Sequence, residues 1–316
     1  MRAHRADAAL GRLGAVEVGG VRLRTPFMTA SGTSGHDTEL SFAMDLSRLG
    51  AVTVKSLWHA PWAGNPPPRV HTAAAGMLNA VGLQGPGVDA WIDESLPRLE
   101  ALGASCVASI WGRTVEEYAQ AARSLVRAGT RVLAVEVNLS CPNLEGRSGI
   151  IAHDPVVSAG AVSAVVAVSP VPVWAKLSPN TDRIVEIAES VTGAGATALT
   201  LVNTVLGMGV DPASGRPLLG NGGGGLSGRA IHPVAVRAVH DVHMALPGVD
   251  IVGVGGISTG EDAVEMFRVG ATAVQVGTAS FARPGATMRI ARQAALLAER
   301  CGATTWSDLA DSANLK

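Results

Sequence analysis

Apolar residues dominate the chain up to Val137, and the polar or reactive residues Asn138, Ser140, Cys141 and Asn143 follow, together with Pro142. Proline has no N–H for sheet pairing, so a strand predicted here ends at this point. A thiol has an ordinary pKa near ~8.5 and can serve as a general base with modest tuning. Cys141 is therefore a candidate catalytic residue. An inert buried cysteine is the alternative that the residues alone leave open.

Two lysines and several asparagines stand where other strands are expected to end. Lys55 and Lys176 each follow a short apolar run. Together they indicate an anionic ligand, although either side chain could instead extend to solvent. Carboxamides both donate and accept hydrogen bonds, so a group of them suits a planar heterocycle with alternating C=O and N–H groups. The asparagines concerned are Asn79, Asn138, Asn143 and Asn203, each of which could singly cap a turn.

Glycines near the carboxyl end of the chain predict a phosphate site. Gly-Val-Gly-Gly at residues 253–256 and Gly277-Thr278 each follow an apolar run. Glycine lets backbone N–H groups approach a phosphate closely, and the loops after the last two strands of a barrel commonly hold one. Residues 222–228 are a third candidate, or a flexible loop. The sequence has neither a P-loop motif nor a Rossmann glycine fingerprint, so a nucleotide-binding Rossmann module is not expected.

These residues need a scaffold, and the chain alternates short apolar runs with longer segments of helical spacing. The strands are predicted at residues 27–29, 51–55, 106–110, 132–137, 171–176, 198–202, 250–252 and 273–276. The helices are predicted at residues 38–49, 88–102, 114–128, 155–168, 182–193, 232–246, 260–269 and 284–299. Continuous apolar strands indicate a parallel sheet buried on both faces.

Eight such units favour a single-domain α/β (β/α)8 TIM barrel over an open doubly wound sheet. Residues 61–68 and 207–228 are interpreted as long loops at the C-terminal face of the strands. In a barrel the carboxyl ends of the strands share one mouth. The residues placed there are Ser31, Gly32, Lys55, Ser56, Ser109, Asn138, Cys141, Lys176, Ser178, Asn203, Thr204, Gly255, Gly256, Gly277 and Thr278.

Composition narrows the class of protein. The 316 residues are 47% hydrophobic and 16% charged, with a net charge of −1. A net charge this close to zero does not indicate electrostatic binding to nucleic acid or to an anionic membrane. Three scattered cysteines without a C-x-x-C pair predict neither a disulfide framework nor a metal site in this chain. We find no secretory signal and no membrane span, so a cytoplasmic protein is expected.

The motifs together resemble a known family, dihydroorotate dehydrogenase of class 1, and more closely the catalytic FMN subunit of the NAD-linked (class 1B) type. The motifs that carry the resemblance lie at residues 29–32 (Thr-Ala-Ser-Gly), 64–69, 76–87, 138–143 (Asn-Leu-Ser-Cys-Pro-Asn), 176–180 (Lys-Leu-Ser-Pro-Asn), 202–204, 224–228, 255–256 and 277–278. They run in the family's order. The resemblance implies an FMN-binding barrel domain at residues 16–316, preceded by an extension at residues 1–15.

The resemblance also implies roles for individual residues. FMN contacts fall on Ser31, Lys55, Ser56, Ser109, Asn138, Lys176, Val202, Gly228, Gly255, Gly256, Gly277 and Thr278. Substrate contacts fall on Lys55, Asn79, Ala80, Val81, Gly82, Leu83, Asn138, Asn203 and Thr204. Cys141 occupies the position of the catalytic base, where class 2 members carry serine. It would remove the C5 proton of dihydroorotate while a hydride leaves C6 for FMN, with Lys176 stabilising the reduced ring. Residues 144–153 could close over the substrate.

The implied pathway is pyrimidine (UMP) biosynthesis. For NAD to be the acceptor, a partner subunit must carry FAD and a [2Fe-2S] cluster, and the resemblance implies a homodimer within a heterotetramer. A fumarate-linked enzyme, or a related FMN oxidoreductase acting on dihydropyrimidines such as dihydrouracil, is the alternative. A barrel without redox chemistry is the alternative from another class.

Two departures from the family pattern stand out. Ser109 replaces an asparagine that usually contacts the flavin. Gly85 replaces an asparagine in the loop at residues 76–87, which predicts a looser loop there.

Overall fold

The computed structural model describes residues 2–139, 151–310 and 312–313. Among these residues, no helix is long and apolar enough to cross a membrane. The described strands are β1 (Val16–Val18), β2 (Val21–Leu23), β3 (Phe27–Thr29), β4 (Val52–Thr53), β5 (Val70–Ala73), β6 (Gly76–Asn79), β7 (Cys106–Ile110), β8 (Ala134–Asn138), β9 (Val173–Lys176), β10 (Ala198–Leu201), β11 (Val205–Met208), β12 (Gly223–Ser227), β13 (Asp250–Val254) and β14 (Ala273–Val276).

Eight of these strands form one parallel sheet in the order β3-β14-β13-β10-β9-β8-β7-β4. A bridge between Met28 and Ala51 joins the two end strands, and the Gly50 N–H donates to the Phe27 carbonyl at 2.9 Å. The sheet therefore closes on itself, and the prediction of a (β/α)8 barrel is confirmed. All eight predicted strands are present, because a strand buried on both faces is apolar along its whole length.

Helices surround the barrel. They are α1 (Arg2–Leu13), α2 (Val88–Ala90), α3 (Leu96–Ala101), α4 (Val115–Leu125), α5 (Pro155–Val166), α6 (Ile184–Gly193), α7 (His232–Ala245), α8 (Gly260–Arg268), α9 (Ala279–Ala282) and α10 (Ala286–Arg300). A π-helical turn at Trp91–Ser95 joins α2 to α3. The N-caps follow the expected chemistry. The Thr114 side chain accepts from the Glu117 N–H, and Thr259 forms a capping box with Asp262.

The predicted helix at residues 38–49 is wrong. The segment forms turns, with a single 3-10 turn at Leu46–Arg48. Asp45 explains part of the difference, because its carboxylate accepts from the Ser47 N–H at 3.0 Å and so starts a new turn inside the segment. Leu40, Met44 and Leu49 are nevertheless buried. The helical spacing of these apolar residues therefore reflects core contacts made by an irregular segment.

The interpretation of residues 207–228 as a long loop is also wrong in part. β11, β12, β6 and β5 form a four-stranded antiparallel sheet beside the barrel mouth. The sequence signal was weak because β12 is mostly glycine, which disfavours strands. Its glycines permit close packing. A Cβ on Gly225 would overlap the Thr204 side chain, and one on Gly224 would overlap the Asn79 carbonyl.

The opposite end of the barrel is closed by the hairpin of β1 and β2. Val18, Val21 and Leu23 are buried there in one cluster with Trp174. The preceding helix α1 lies on α10, where Arg292 Nε donates to Asp7 Oδ1 at 2.7 Å. The division into an extension at residues 1–15 and a barrel domain at residues 16–316 stays a prediction.

Candidate active site

A cavity of about 510 Å³ opens at the carboxyl ends of the barrel strands. The antiparallel sheet supplies part of its wall through β6 and β12. Nearly all predicted contact residues within the described part of the chain line this cavity. They are Ser31, Lys55, Ser56, Asn79, Val81, Gly82, Leu83, Asn138, Lys176, Val202, Asn203, Thr204, Gly228, Gly255, Gly256, Gly277 and Thr278. The structure thus brings together residues that are up to 247 positions apart in sequence.

Among the predicted catalytic and contact residues, two that the structure describes do not line the cavity, and one lies outside the described residues. Cys141, the predicted base, lies outside the described residues, as do Asn143 and most of the predicted closing loop at residues 144–153. Ser109 is fully buried behind the wall. Ala80 is also fully buried, in a small cluster with Leu78 and Leu219, so only its neighbours in the chain present side chains to the cavity.

A chain of hydrogen-bonded polar side chains lies along one side of the cavity; we call it the asparagine chain. Ser109 Oγ and Ser56 Oγ are 2.9 Å apart. Asn138 Nδ2 donates to Ser56 Oγ at 3.1 Å. Asn203 Nδ2 donates to Asn138 Oδ1 at 3.3 Å, and Asn203 Oδ1 accepts from the Thr204 N–H at 2.8 Å. These bonds define which way each carboxamide points, as a site for a planar heterocycle requires.

The base of the cavity carries positive charge. Lys176 is 3% exposed, and its Nζ donates to Ser31 Oγ at 3.2 Å. Lys55 also lines the cavity, and a Cβ on Gly32 would lie 3.5 Å from its Nζ. Two ammonium groups in a partly enclosed space favour an anionic ligand because the charges are poorly screened there.

Glycines form a second part of the wall, which we call the glycine cradle: Gly228, Gly255, Gly256, Gly277 and Thr278. Gly256 has a φ of +69°, and a Cβ there would lie 2.9 Å from the Gly228 carbonyl oxygen. Thr278 Oγ1 donates to Ser227 Oγ at 2.8 Å and so ties the last strand end to β12. The backbone segments of three loops therefore meet closely here, which is the arrangement expected for a phosphate.

Sequence reasoning missed three arginines on the cavity wall, Arg229, Arg283 and Arg289. Arg289 Nη2 donates to the Ser258 carbonyl at 2.7 Å, two residues beyond the glycine cradle. Arg229 directly follows Gly228, and this position was the available sequence signal. Arg289 lies in α10 and gave no such signal, because only the fold brings that helix to the cavity.

His36 is electrostatically perturbed. Burial, and then the charge of Lys55, lower the pKa of His36 to about 4. A Cβ on Gly85 would lie 3.0 Å from His36 Nε2. Gly85 and Trp62 exchange two backbone hydrogen bonds of 2.9 and 3.0 Å. These two bonds hold the loop at Gly85 in place. His36 is neutral near pH 7 because its pKa is lowered to about 4.

Comparison with known proteins agrees with this arrangement. The family model for dihydroorotate dehydrogenase matches residues 14–296. This chain belongs to the dihydroorotate dehydrogenase family. It is 46% identical over 276 residues to a protein of Geotalea daltonii, covering 87% of this chain and 90% of that protein. A protein of Geobacillus kaustophilus is 46% identical over 270 residues, covering 85% and 86%.

A relative from Alkaliphilus metalliredigens is 44% identical over 275 residues, covering 87% of this chain and 90% of the relative. All three bear the name dihydroorotate dehydrogenase B (NAD(+)), catalytic subunit. The resemblance of this chain to the dihydroorotate dehydrogenase family, and to its NAD-linked catalytic subunits in particular, is therefore confirmed.

Proposed function

We propose that this protein oxidises (S)-dihydroorotate to orotate in pyrimidine (UMP) biosynthesis. The observation that carries the proposal is a single cavity that combines the asparagine chain, two lysines and the glycine cradle. The asparagine chain and the two lysines suit a flat anionic heterocycle, and the glycine cradle suits the phosphate of a flavin. The names of the relatives supply the substrate and support the same conclusion.

The residues present fit FMN. The glycine cradle suits its phosphate, since a Cβ at Gly256 would lie 2.7 Å from the His232 Cβ and only glycine leaves the backbone this close. Arg289 adds positive charge nearby. Ser31, Lys55, Ser56, Asn138, Lys176 and Val202 are proposed to hold the remainder of the molecule. When bound, FMN would accept the hydride that leaves C6 of the substrate.

Ser109 acts differently in this proposal from the asparagine that it replaces. Its hydroxyl contacts Ser56 and does not face the cavity. We propose that it supports Ser56, and through Ser56 the carboxamide of Asn138. Buried neighbours of this kind keep the groups that contact a ligand in one orientation.

The substrate is proposed to lie against the asparagine chain. Asn138, Asn203 and Thr204 would pair with its ring C=O and N–H groups, and Lys55 would balance its carboxylate. Asn79, Ala80, Val81, Gly82 and Leu83 would form the neighbouring wall. Asn79 is held in place, since its Nδ2 donates to the Gly225 carbonyl at 3.2 Å.

Cys141 is proposed as the base that removes the C5 proton. The proposal rests on its place in the sequence three residues after Asn138, which lines the cavity. A thiolate can take up this proton near neutral pH, whereas a serine hydroxyl is a far weaker acid and needs stronger activation. Cys141→Ala should retain FMN yet lose turnover, and Cys141→Ser should recover activity as the pH rises.

The electron acceptor is proposed to be NAD, reached through a partner subunit that carries FAD and a [2Fe-2S] cluster, in a heterotetramer built on a homodimer of this chain. The words "catalytic subunit" and "NAD(+)" in the names of the relatives support a partner. Affinity purification from the native host should recover a second chain with flavin and iron. Full activity with fumarate and no second chain would assign the fumarate-linked form instead.

Steady-state turnover tests the substrate. We expect dihydroorotate to be oxidised and dihydrouracil to be oxidised at least ~100-fold more slowly, because dihydrouracil lacks the carboxylate that Lys55 would balance. Equal turnover of both compounds would favour a dihydropyrimidine dehydrogenase-like enzyme. A purified protein that takes up no FMN would favour a barrel without redox chemistry.

A further inference from the structure

A fully buried carboxylate lies inside the barrel beneath the cavity. Glu136 is in β8 and is 0% exposed. Its Oε2 accepts from Gln275 Nε2 at 2.8 Å and from Thr200 Oγ1 at 3.1 Å. Within the described residues its Oε1 has no hydrogen bond, and the Lys176 Nζ lies 3.8 Å away. None of the contacts proposed above for FMN or dihydroorotate uses this group.

Lys176 stands between this carboxylate and the cavity. Its Nζ donates to Ser31 Oγ on the cavity side at 3.2 Å. On the interior side it faces Gln275 Oε1 at 3.5 Å as well as Glu136. An isolated buried carboxylate is costly, whereas here donors contact one oxygen and a cation lies beside the other, as a buried ion pair requires. The charge of the carboxylate therefore acts on the same ammonium that faces the ligand.

We propose that Glu136 is a positioning residue that acts through Lys176 and limits how strongly the cavity favours an anionic ligand. The carboxylate partly offsets the ammonium, so a ligand that gains negative charge is stabilised less than it would be by Lys176 alone. The inference rests on the proposed function, because the ligand whose charge changes is FMN, which becomes anionic on reduction. Glu136 thereby tunes the reduction potential of the bound flavin.

The direct test is the midpoint potential of bound FMN in Glu136→Gln. The substitution removes the charge and keeps the shape, so Lys176 should favour reduced over oxidised FMN at least tenfold more than before. For a two-electron couple this is a rise of about 30 mV. The affinity for oxidised FMN, followed by flavin fluorescence, should change much less. An unchanged or lower potential would overturn the proposal.

Gln275→Met is the matched control. Gln275 contacts both Glu136 and Lys176, so its replacement perturbs the same buried network without removing a charge. We expect less than half of the shift seen with Glu136→Gln. An equal rise in both variants would mean that the loss of any member of the network shifts the potential, and the charge of Glu136 would then have no special role.

A second test needs no FMN and separates this inference from the proposed function. In the apo-protein, Lys176→Met leaves the Glu136 carboxylate buried without its cation. The variant should therefore lose more thermal stability in the background that carries Glu136 than in the Glu136→Gln background, because a buried carboxylate without its cation is strongly destabilising. Equal losses in both backgrounds would contradict a charge interaction between Glu136 and Lys176, even if the wild type binds FMN as proposed.

Discussion

Gly256→Ala is the substitution that examines the glycine cradle most sharply. A left-handed backbone costs a non-glycine residue about 1–2 kcal/mol, and Gly256 has a φ of +69°. The new methyl group would also lie 2.7 Å from the His232 Cβ and 2.9 Å from the Gly228 carbonyl oxygen. Overpacking of this kind adds about 1–3 kcal/mol. The loops must therefore move apart, and we expect FMN to bind at least ~10-fold more weakly, about 1.4 kcal/mol.

Gly215→Ala provides the matched control. Gly215 has the same φ of +69°, and apart from its chain neighbours no heavy atom of the described residues lies within 4 Å of the position that a Cβ would take there. It does not line the cavity. The control therefore carries the backbone cost of about 1–2 kcal/mol without the crowding. Its FMN affinity should equal that of the wild type.

Thermal unfolding of the apo-proteins and fluorescence titration with FMN measure the two effects separately. At roughly 2 °C for each kcal/mol in a chain of this length, Gly256→Ala should unfold about 2–6 °C below Gly215→Ala. Only Gly256→Ala should show weakened FMN binding. If the two variants had the same unfolding temperature and the same FMN affinity, close packing at Gly256 would not shape the site.

Three further predictions concern single residues. Burial raises the pKa of Cys106 to about 12, so thiol reagents at pH 8 should label the exposed Cys301 and leave Cys106 unlabelled until the protein unfolds. Hydrogen bonds from arginine lower the pKa of Asp7 to about 2. Above pH 4 the free energy of unfolding of the wild type should therefore exceed that of Asp7→Asn by about 1 kcal/mol. Acid unfolding curves should show this difference disappear as the pH falls towards 2. Ser109→Ala should cost about 1 kcal/mol of stability but change FMN affinity less than ~3-fold, since its hydroxyl contacts only Ser56 among the bonds described.

The barrel was predictable because its strands are buried on both faces. Every residue of β7, β8, β9 and β14 is buried, so each reads as a continuous apolar run apart from a few network residues such as Glu136. The sheet of β5, β6, β11 and β12 was not predictable in the same way. Its partly exposed strands, and the glycines of β12, carry little strand preference, and their pairing depends on contacts with distant segments.

Much of the site could be predicted from residue types at strand ends, because parallel strands in a barrel deliver those ends to one mouth. The exceptions have a geometric cause. Ser109 belongs to a strand end yet points behind the cavity wall, and Arg289 reaches the cavity from a helix far along the chain. The spacing of residues along the chain indicates neither the direction of the Ser109 side chain nor the position of Arg289, so the three-dimensional structure was needed for both.

We propose that this cavity transfers hydride from dihydroorotate to a bound flavin with Cys141 as the base. The test is anaerobic mixing of FMN-loaded protein with dihydroorotate, followed in a stopped-flow spectrophotometer. We expect rapid single-turnover bleaching of the flavin in the wild type and a rate at least ~100-fold lower in Cys141→Ala with FMN still bound. Bleaching at the wild-type rate in Cys141→Ala would contradict the assignment of the base, and a wild-type flavin that dihydroorotate leaves oxidised would contradict the proposed reaction itself.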